Sequence, residues 1–195
     1  MKVLLLSRYG ELGASSRVRY LQYLPYLEAQ GVDVSVVPLF SDSYLQSLYE
    51  GGSRWRDVLA GYLRRIGALL RARRYDVVII EKELFPFFPA FAERLLRVAG
   101  VPCVVDYDDA LFHRYDLHSS ALVRGVLGRK IDAVMRHASV VVAGNDYLAD
   151  RARQAGAQRV ELIPTVVSTV RYQPSQAPRN EIPVIGWIGT PKTSR

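Results

Sequence analysis

The chain has 195 residues, enough for one ample domain or for one domain plus a piece of another. Its 49% hydrophobic and 23% charged content, with no low-complexity tract, excludes a disordered chain. Lys and Arg number 26 against 19 Asp and Glu, so the net charge of +7 favours an anionic partner, but no basic run interleaved with aromatics points to nucleic acid.

In chain order, VLLL (3–6) is the first predicted strand, and its apolar run is too short for the hydrophobic region of a secretory signal. SRYGELGASSR (7–17) follows it. Gly10 and Gly13 permit tight turns, Ser15 or Ser16 can cap a helix over 15–29, and free N–H groups at that start suit a phosphate or a sugar edge. VDVSVV (32–37), DVVII (76–80), CVVD (103–106), SVVVA (139–143) and RVELI (159–163) are further strands, with helices expected over 54–73, 88–99, 121–137 and 146–155. Near-continuous apolar strands alternating with helices predict an α/β fold with a doubly wound parallel sheet.

Within 54–73, Trp55, Val58, Leu59, Tyr62, Leu63, Ile66, Leu69 and Leu70 recur at helical spacing. That stripe is expected to dock on the sheet, leaving Arg54, Arg56, Arg64, Arg65, Arg71 and Arg73 in solvent as a basic face that also suits anionic lipid over 54–74. LFPFFPAFA (84–92) is interrupted by prolines and falls far short of the roughly 20 residues of a spanning helix. Cys103 is the only cysteine, which leaves no disulfide framework or cysteine zinc site and fits a reducing compartment. A cytoplasmic location is therefore expected.

CVVDYDDALF (103–112) sets Asp106, Asp108 and Asp109 at a strand end, where open α/β sheets bind ligands. Three chemistries use such acids. Asp106-Tyr107-Asp108 matches an acidic pattern that holds a divalent cation on a nucleotide diphosphate. DYDDALF resembles a phosphatase nucleophile segment, although Ala110 stands where that pattern has Thr. In the third, a carboxylate orients an acceptor hydroxyl or takes its proton. After the third strand, EKELFPFFP (81–89) offers Glu81, Lys82 and Glu83 to hydroxyl groups and phenylalanines for stacking. His113 lies just past the acids, and the three histidines show no metal-ligand spacing.

Beyond Ile163 the texture changes. Pro164, Pro174 and Pro178 sit among polar residues without a period, and EIPVIGWIGTPKTSR then restarts with a strand over 183–188 and a turn at Gly186 and Gly189. The expected organisation is a domain over 1–170, a linker over 171–182 and the opening strand and loop of a second, truncated domain over 183–195.

GASSRVRYLQYLPYLEAQGVDVSVV, VVDYDDALF, ELIPTVVSTVRY and IPVIGWIGTPKTSR together resemble, in that order, the glycosyltransferase family 4 type, two-domain enzymes of the GT-B fold. Thr165, Val166 and Ser168 stand where many members have an Asn-Gly pair and an Asp, and acids replace a His that many carry after the fourth strand. The resemblance implies a Rossmann-like, acceptor-side domain with a nucleotide-diphosphate sugar as co-substrate and a glycan or lipid-linked acceptor. It implies no separate cofactor and no metal. Asp108 and Asp109 are the candidate catalytic residues; Gly10, Gly13, Ser15, Arg17 and Lys192 face the donor; Glu81, Lys82, Glu83 and His113 face the acceptor. On this reading the fragment is inactive alone and works in the cytoplasm, at the inner face of the membrane through its basic helix. A non-catalytic module binding a phosphorylated ligand or a protein partner is the competing expectation.

Overall fold

A computed structural model describes residues 1–50, 55–170 and 172–174 of the chain. Six parallel strands form one sheet: β1 (Lys2–Leu6), β2 (Asp33–Val36), β3 (Val77–Glu81), β4 (Cys103–Tyr107), β5 (Val140–Ala143) and β6 (Val160–Leu162), in spatial order β2-β1-β3-β4-β5-β6. The α/β doubly wound parallel sheet expected from the strand pattern is the observed fold. The reversal of strand order puts a crevice beside the ends of β1 and β3, the place where such sheets take ligands. Register pairs Glu81 with Asp106 and Tyr107 with Ala143, so the ends of β3, β4 and β5 finish level and their loops share one edge.

Right-handed crossovers fix the layers. The step from β1 to β2 puts α1 (Ala14–Arg19) and α2 (Leu24–Ala29) on one face. Every later step runs the other way across the sheet. It places α3 (Asp42–Glu50), α4 (Trp55–Leu69), α5 (Phe91–Val98), α6 (His113–Asp116), α7 (Ala121–Leu127), α8 (Lys130–His137) and α9 (Asp146–Gln154) on the second face. Val78, Ile80, Val105 and Val141 are fully buried in the core, joined by Phe112, Tyr115, Val134 and Met135. Cys103 is buried there too, and burial pushes its thiol up to about 12.

Several element boundaries differ from those expected. The helix over 15–29 is broken, because Pro25 cannot continue the turn begun by α1; a 3₁₀ turn over Leu21–Tyr23 bridges the gap and Pro25 starts α2 instead. The 121–137 helix divides at Gly128, where a Cβ would lie 2.4 Å from the Arg124 carbonyl oxygen. α3 was not expected from the sequence. The linker over 175–182, the strand over 183–188, Gly186, Gly189 and Lys192 lie outside the described residues, as does Arg54.

The largest correction concerns α4. Only part of its apolar stripe docks: Leu69 packs against the core and Val58 and Tyr62 are half-buried, but Trp55, Leu59, Leu63, Ile66 and Leu70 face solvent, while Gly61 and Arg65 are buried. Size decides the orientation. Gly61, Ala68 and Ala72 share the inward side, and a Cβ on Gly61 would stand 2.0 Å from the Leu39 carbonyl oxygen. A small-residue strip lets the helix lie close against the β2–α3 connection, where the larger stripe would hold it off. Arg65 is carried in with it, donating to the Ser7 and Val37 carbonyls, and burial pulls its guanidinium down to about 9.

Candidate functional site

Loops after β1, β3 and β4 meet at the C-terminal edge of the sheet. Asp106, the last residue of β4 paired with β3, faces α1, where the Arg19 guanidinium forks onto both its oxygens, Nε lying 2.8 Å from Oδ2. The Tyr20 hydroxyl donates to the same oxygen at 2.5 Å. Burial first, and then the Asp106 charge, raise that phenol well above its ordinary value, so it stays a donor. Arg19 also donates to the Ile163 carbonyl at 3.1 Å and the Thr165 hydroxyl at 2.9 Å, tying the segment after β6 to β4. Between them a cavity of about 190 Å³ opens against Ile79, Val104 and Val142 of the sheet.

Asp108 and Asp109 go elsewhere. Ser15, in the first turn of α1, donates to Asp108 Oδ2 at 2.5 Å. Lys82 Nζ stands 2.9 Å from Asp108 Oδ1 and 2.6 Å from Asp109 Oδ2, bridging the two carboxylates. Lys82 reaches this position from a left-handed backbone (φ 69°), a strained conformation for a residue with a side chain. Burial pulls its ammonium down, but the two aspartates outweigh burial and hold it above the usual lysine value. Burial likewise raises Asp108, yet Lys82 and the Ser15 hydroxyl prevail and keep it below the ordinary carboxylate range. Asp109 differs from both neighbours: its side chain is 60% exposed and Lys82 is the partner it shares with Asp108.

The depressed Asp108 acid carries a pH consequence. A carboxylate whose folded pKa is below its unfolded one stabilises the fold above the unfolded value, about 3.9, and loses that contribution as pH falls through the folded value. The stability difference between the protein and Asp108→Asn is therefore expected to be full at neutral pH, about 1 kcal/mol, and to vanish in strong acid. Urea midpoints taken across that range would show it; a pH-independent difference would mean that Asp108 draws nothing from Lys82.

Glu81 and Glu83 lie behind this cluster. Glu81 Oε2 accepts the Ser16 hydroxyl at 2.6 Å and the Arg8 backbone N–H at 2.7 Å, while Oε1 is buried with no partner among the described residues. Burial raises its carboxyl above the ordinary value against the pull of those two donors. Glu83 is wholly enclosed, receiving Lys130 Nζ, the Tyr115 hydroxyl at 2.7 Å and Arg8 Nη1 at 3.5 Å. Lys82, Asp108 and Ser15 are thus brought together with Asp109 at the surface, and the two glutamates form the floor.

Other candidates sit apart. Arg17 donates to the Glu11 carbonyl at 2.8 Å, away from the acids. His113 pairs through one ring nitrogen with Asp116 at 2.9 Å and through the other with the Tyr147 hydroxyl at 2.8 Å. In the loop after β1 much of the backbone is already committed: the amides of Arg8, Tyr9, Leu12 and Gly13 donate to Glu81, Ser16, Asp42 and Gly10. Gly13 is there because a Cβ would lie 2.2 Å from that of Tyr9, and one on Gly10 would lie 2.8 Å from Asp42 Oδ1. Among the described residues no group of three or more His, Cys, Asp or Glu is arranged to hold a metal ion; Asp106, Asp108 and Asp109 diverge to separate cationic partners.

Arg8, Lys130 and Tyr115 escaped the sequence reading as parts of this site. Of the two arginines on the first helical turns, one expected to reach the cleft, Arg17 is the one the sequence reading assigns to it, whereas Arg19 is the one that meets Asp106. A helical Arg four residues after Ser15 carried the signal for Arg19, since both lie on one side of α1. For Lys130, 47 residues from Glu83, nothing local marks the pairing.

An open parallel sheet with acids and a lysine gathered at its C-terminal edge defines an α/β domain of the ligand-binding Rossmann-like class. The family profile described as glycosyl transferase 4-like domain matches residues 5–165, most of the chain, and the protein belongs to that family. No curated protein matches it. Among solved structures, UGT73P12 of Glycyrrhiza uralensis, complexed with glycyrrhetinic acid 3-O-monoglucuronide, is similar at 10% identity and TM-score 0.42, over 83% of this chain. The chain spans 42% of that enzyme's length. The transcription regulator GntR of Chromobacterium violaceum is similar at 17% identity and TM-score 0.31, over 84% of this chain and 78% of its own.

Proposed function

We propose that the chain is the acceptor-side half of a GT-B glycosyltransferase, which moves a sugar from a nucleotide-diphosphate donor to an acceptor hydroxyl in a cleft between two domains. The first domain would be 1–170, joined through 171–182 to a donor domain that opens at 183. Membership of the glycosyl transferase 4-like family supports sugar transfer. The observation that carries the assignment to an acceptor wall is the exposed Asp109 carboxylate, held 2.6 Å from Lys82 beside an Asp108 that Ser15 and Lys82 fix in place.

In the reaction the acceptor oxygen bonds to the anomeric carbon, the bond from that carbon to the diphosphate breaks, and the nucleoside diphosphate leaves. Asp109 receives or orients the hydroxyl proton, and Lys82 holds the carboxylate at the reacting edge. Gly10, Gly13 and Ser15 are assigned to the side nearer the donor and Lys82 to the acceptor side, with Glu81 and Glu83 buried beneath it; Arg17 and His113, bound to Glu11 and to Asp116 and Tyr147, stay outside this wall. Neither metal nor further cofactor takes part. The acceptor is a glycan or a lipid-linked hydroxyl compound, and the enzyme works in the cytoplasm, peripherally at the inner face of the membrane. No helix among the described residues is long and apolar enough to cross a bilayer.

The test is nucleoside diphosphate release by the protein that contains this chain, given a panel of nucleotide sugars with and without glycan and lipid-linked acceptors. Acceptor-dependent release is expected, together with acceptor binding but no turnover by the isolated chain. A tight phosphorylated ligand on the isolated chain, with no release from the larger protein, would make the chain a binding module instead.

A further inference from the structure

The solvent-facing stripe of α4 continues onto its neighbour. α4 and α5 lie on the same face of the sheet, and Tyr62 ties α4 to the loop that leads into α5, its hydroxyl donating to the Pro86 carbonyl at 2.8 Å and its ring standing 5.9 Å from that of Phe88. α5 repeats the pattern of α4: Phe91, Leu95 and Val98 recur at helical spacing on its outer side, with Phe87 and Phe88 in the loop that leads into it. From Trp55 to Val98, each of these outward side chains is between 46% and 82% exposed. Scattered exposed leucines are ordinary, but two helices on one face of the sheet that both turn apolar sides outward, with exposed Phe87 and Phe88 in the loop before the second, call for an occupant.

The charges around it say which. Arg56 flanks the α4 stripe, Arg71, Arg73 and Arg74 follow its C-terminal end, and Arg94 stands beside Phe91 and Leu95, all exposed. Of the acids in the same stretches, Asp57 is half-buried, Glu93 is buried, and the exposed Asp76 is engaged by the Lys2 backbone N–H at 2.7 Å. An apolar plane with a rim of one sign matches a surface that is apolar within and anionic at its boundary. A second copy of the chain fits poorly, because a two-fold contact would set arginine rows against each other.

We propose that the outer faces of α4 and α5 together form a docking surface for an anionic lipid bilayer, lying in its headgroup region with the arginines on lipid phosphates. The inference rests on the peripheral membrane location in the function proposed above and names the surface that provides it. It replaces the basic face of one helix by the apolar faces of two. Arginine at this rim has a second use, since its stem packs on apolar surface while its head reaches phosphate. The stripe of α4 is free for lipid only because Gly61 and Ala72 take the inward side.

Sedimentation of the 195-residue protein with vesicles tests it. Phosphatidylcholine vesicles and vesicles of phosphatidylcholine with phosphatidylglycerol would be compared at low and high salt. Binding is expected to the anionic vesicles only and to weaken with salt. Leu63→Gln with Leu95→Gln should lower partitioning by about tenfold or more, and Arg71→Glu with Arg74→Glu by a similar factor of about ten. All four side chains are exposed, so an unchanged circular dichroism spectrum and melting midpoint are expected; Trp55→Ser provides a second apolar variant should one pair fail to fold. Protein that stays in the supernatant with anionic vesicles at low salt overturns the proposal, as does leucine-variant binding equal to wild type. A wild-type dimer that the leucine variant converts to monomer, without vesicle binding, assigns the face to self-association and overturns it too. No sugar donor or acceptor enters the experiment, so its failure leaves sugar transfer standing, and failure of sugar transfer is read from nucleoside diphosphate release alone.

Discussion

If the proposed sugar transfer holds, Asp109→Asn is expected to lower its kcat by about 100- to 10,000-fold, with little change in KM for the donor. The amide keeps the size of the carboxylate and can still accept from Lys82, so the loop should hold its shape. What it loses is the ability to take a proton. Asp109 is the acid suited to that role because its side chain is 60% exposed at the strand edge, where an acceptor can reach it, whereas Asp108 is gripped by Ser15 and Lys82 and Asp106 by Arg19 and Tyr20. Asp109→Glu should recover part of the rate. Lys82→Met tests positioning: with its cation gone, Asp108 and Asp109 repel, and kcat should fall while KM for the donor holds. The measurement is steady-state kinetics at saturating donor with circular dichroism as a folding control. Wild-type kcat in Asp109→Asn would reduce this residue to a surface partner of Lys82.

The sheet was legible from the sequence because each strand is an apolar run bounded by polar turns, and a parallel sheet covered on both faces selects for that texture. All six strands appear near their expected positions. Helix faces were less legible. Apolar period reports that α4 has two sides but not which one packs, and bulk hydrophobicity pointed to the wrong side. The decisive residues were the small ones: Gly61, Ala68 and Ala72 share a face on the same period, and close approach to the Leu39 backbone selects them. α3 was missed because Asp42–Glu50 is polar at most positions and gains its order from packing, with Leu45 as its buried residue.

At the site, strand ends are readable and pairings are not. That Asp108 and Asp109 stand at the end of β4 and Lys82 at the end of β3 follows from where the apolar runs stop. Which carboxylate meets which cation depends on register, since Glu81 is level with Asp106 and the residues one and two steps beyond them are placed by loops. The left-handed turn at Lys82 is the hinge of that outcome, and no glycine announces it. Arg17 and Arg19 show the same limit: two residues apart on a short helix they diverge, one to Glu11 and the other to Asp106.

Beneath the reacting edge, the Glu83–Lys130 pair is where a single substitution should cost the fold most. Both side chains are enclosed, at 0% and 1% exposure, and Lys130 also donates to the Phe85 carbonyl at 2.6 Å. Burial pulls the Lys130 ammonium below the usual lysine value even with Glu83 beside it, so the pair is held together against its own desolvation. Lys130→Met would leave a buried carboxylate with the Tyr115 hydroxyl and the more distant Arg8 and Arg114, and orphan the Phe85 carbonyl. The expected loss is about 3–5 kcal/mol, a large part of a domain's total of roughly 5–15 kcal/mol. Glu83→Gln added to Lys130→Met should return much of it, because the penalty lies in the unpaired charge and not in the missing contact. Urea denaturation of the two variants beside the parent separates the cases: a loss under about 1 kcal/mol in Lys130→Met would mean that water reaches the pair. Glu83 directly follows Lys82, and Lys130 also holds Phe85 in the same loop. The double variant, stable again but without that anchor, should therefore still turn over more slowly than the parent, which separates what the pair does for the fold from what it does for the placement of Asp109.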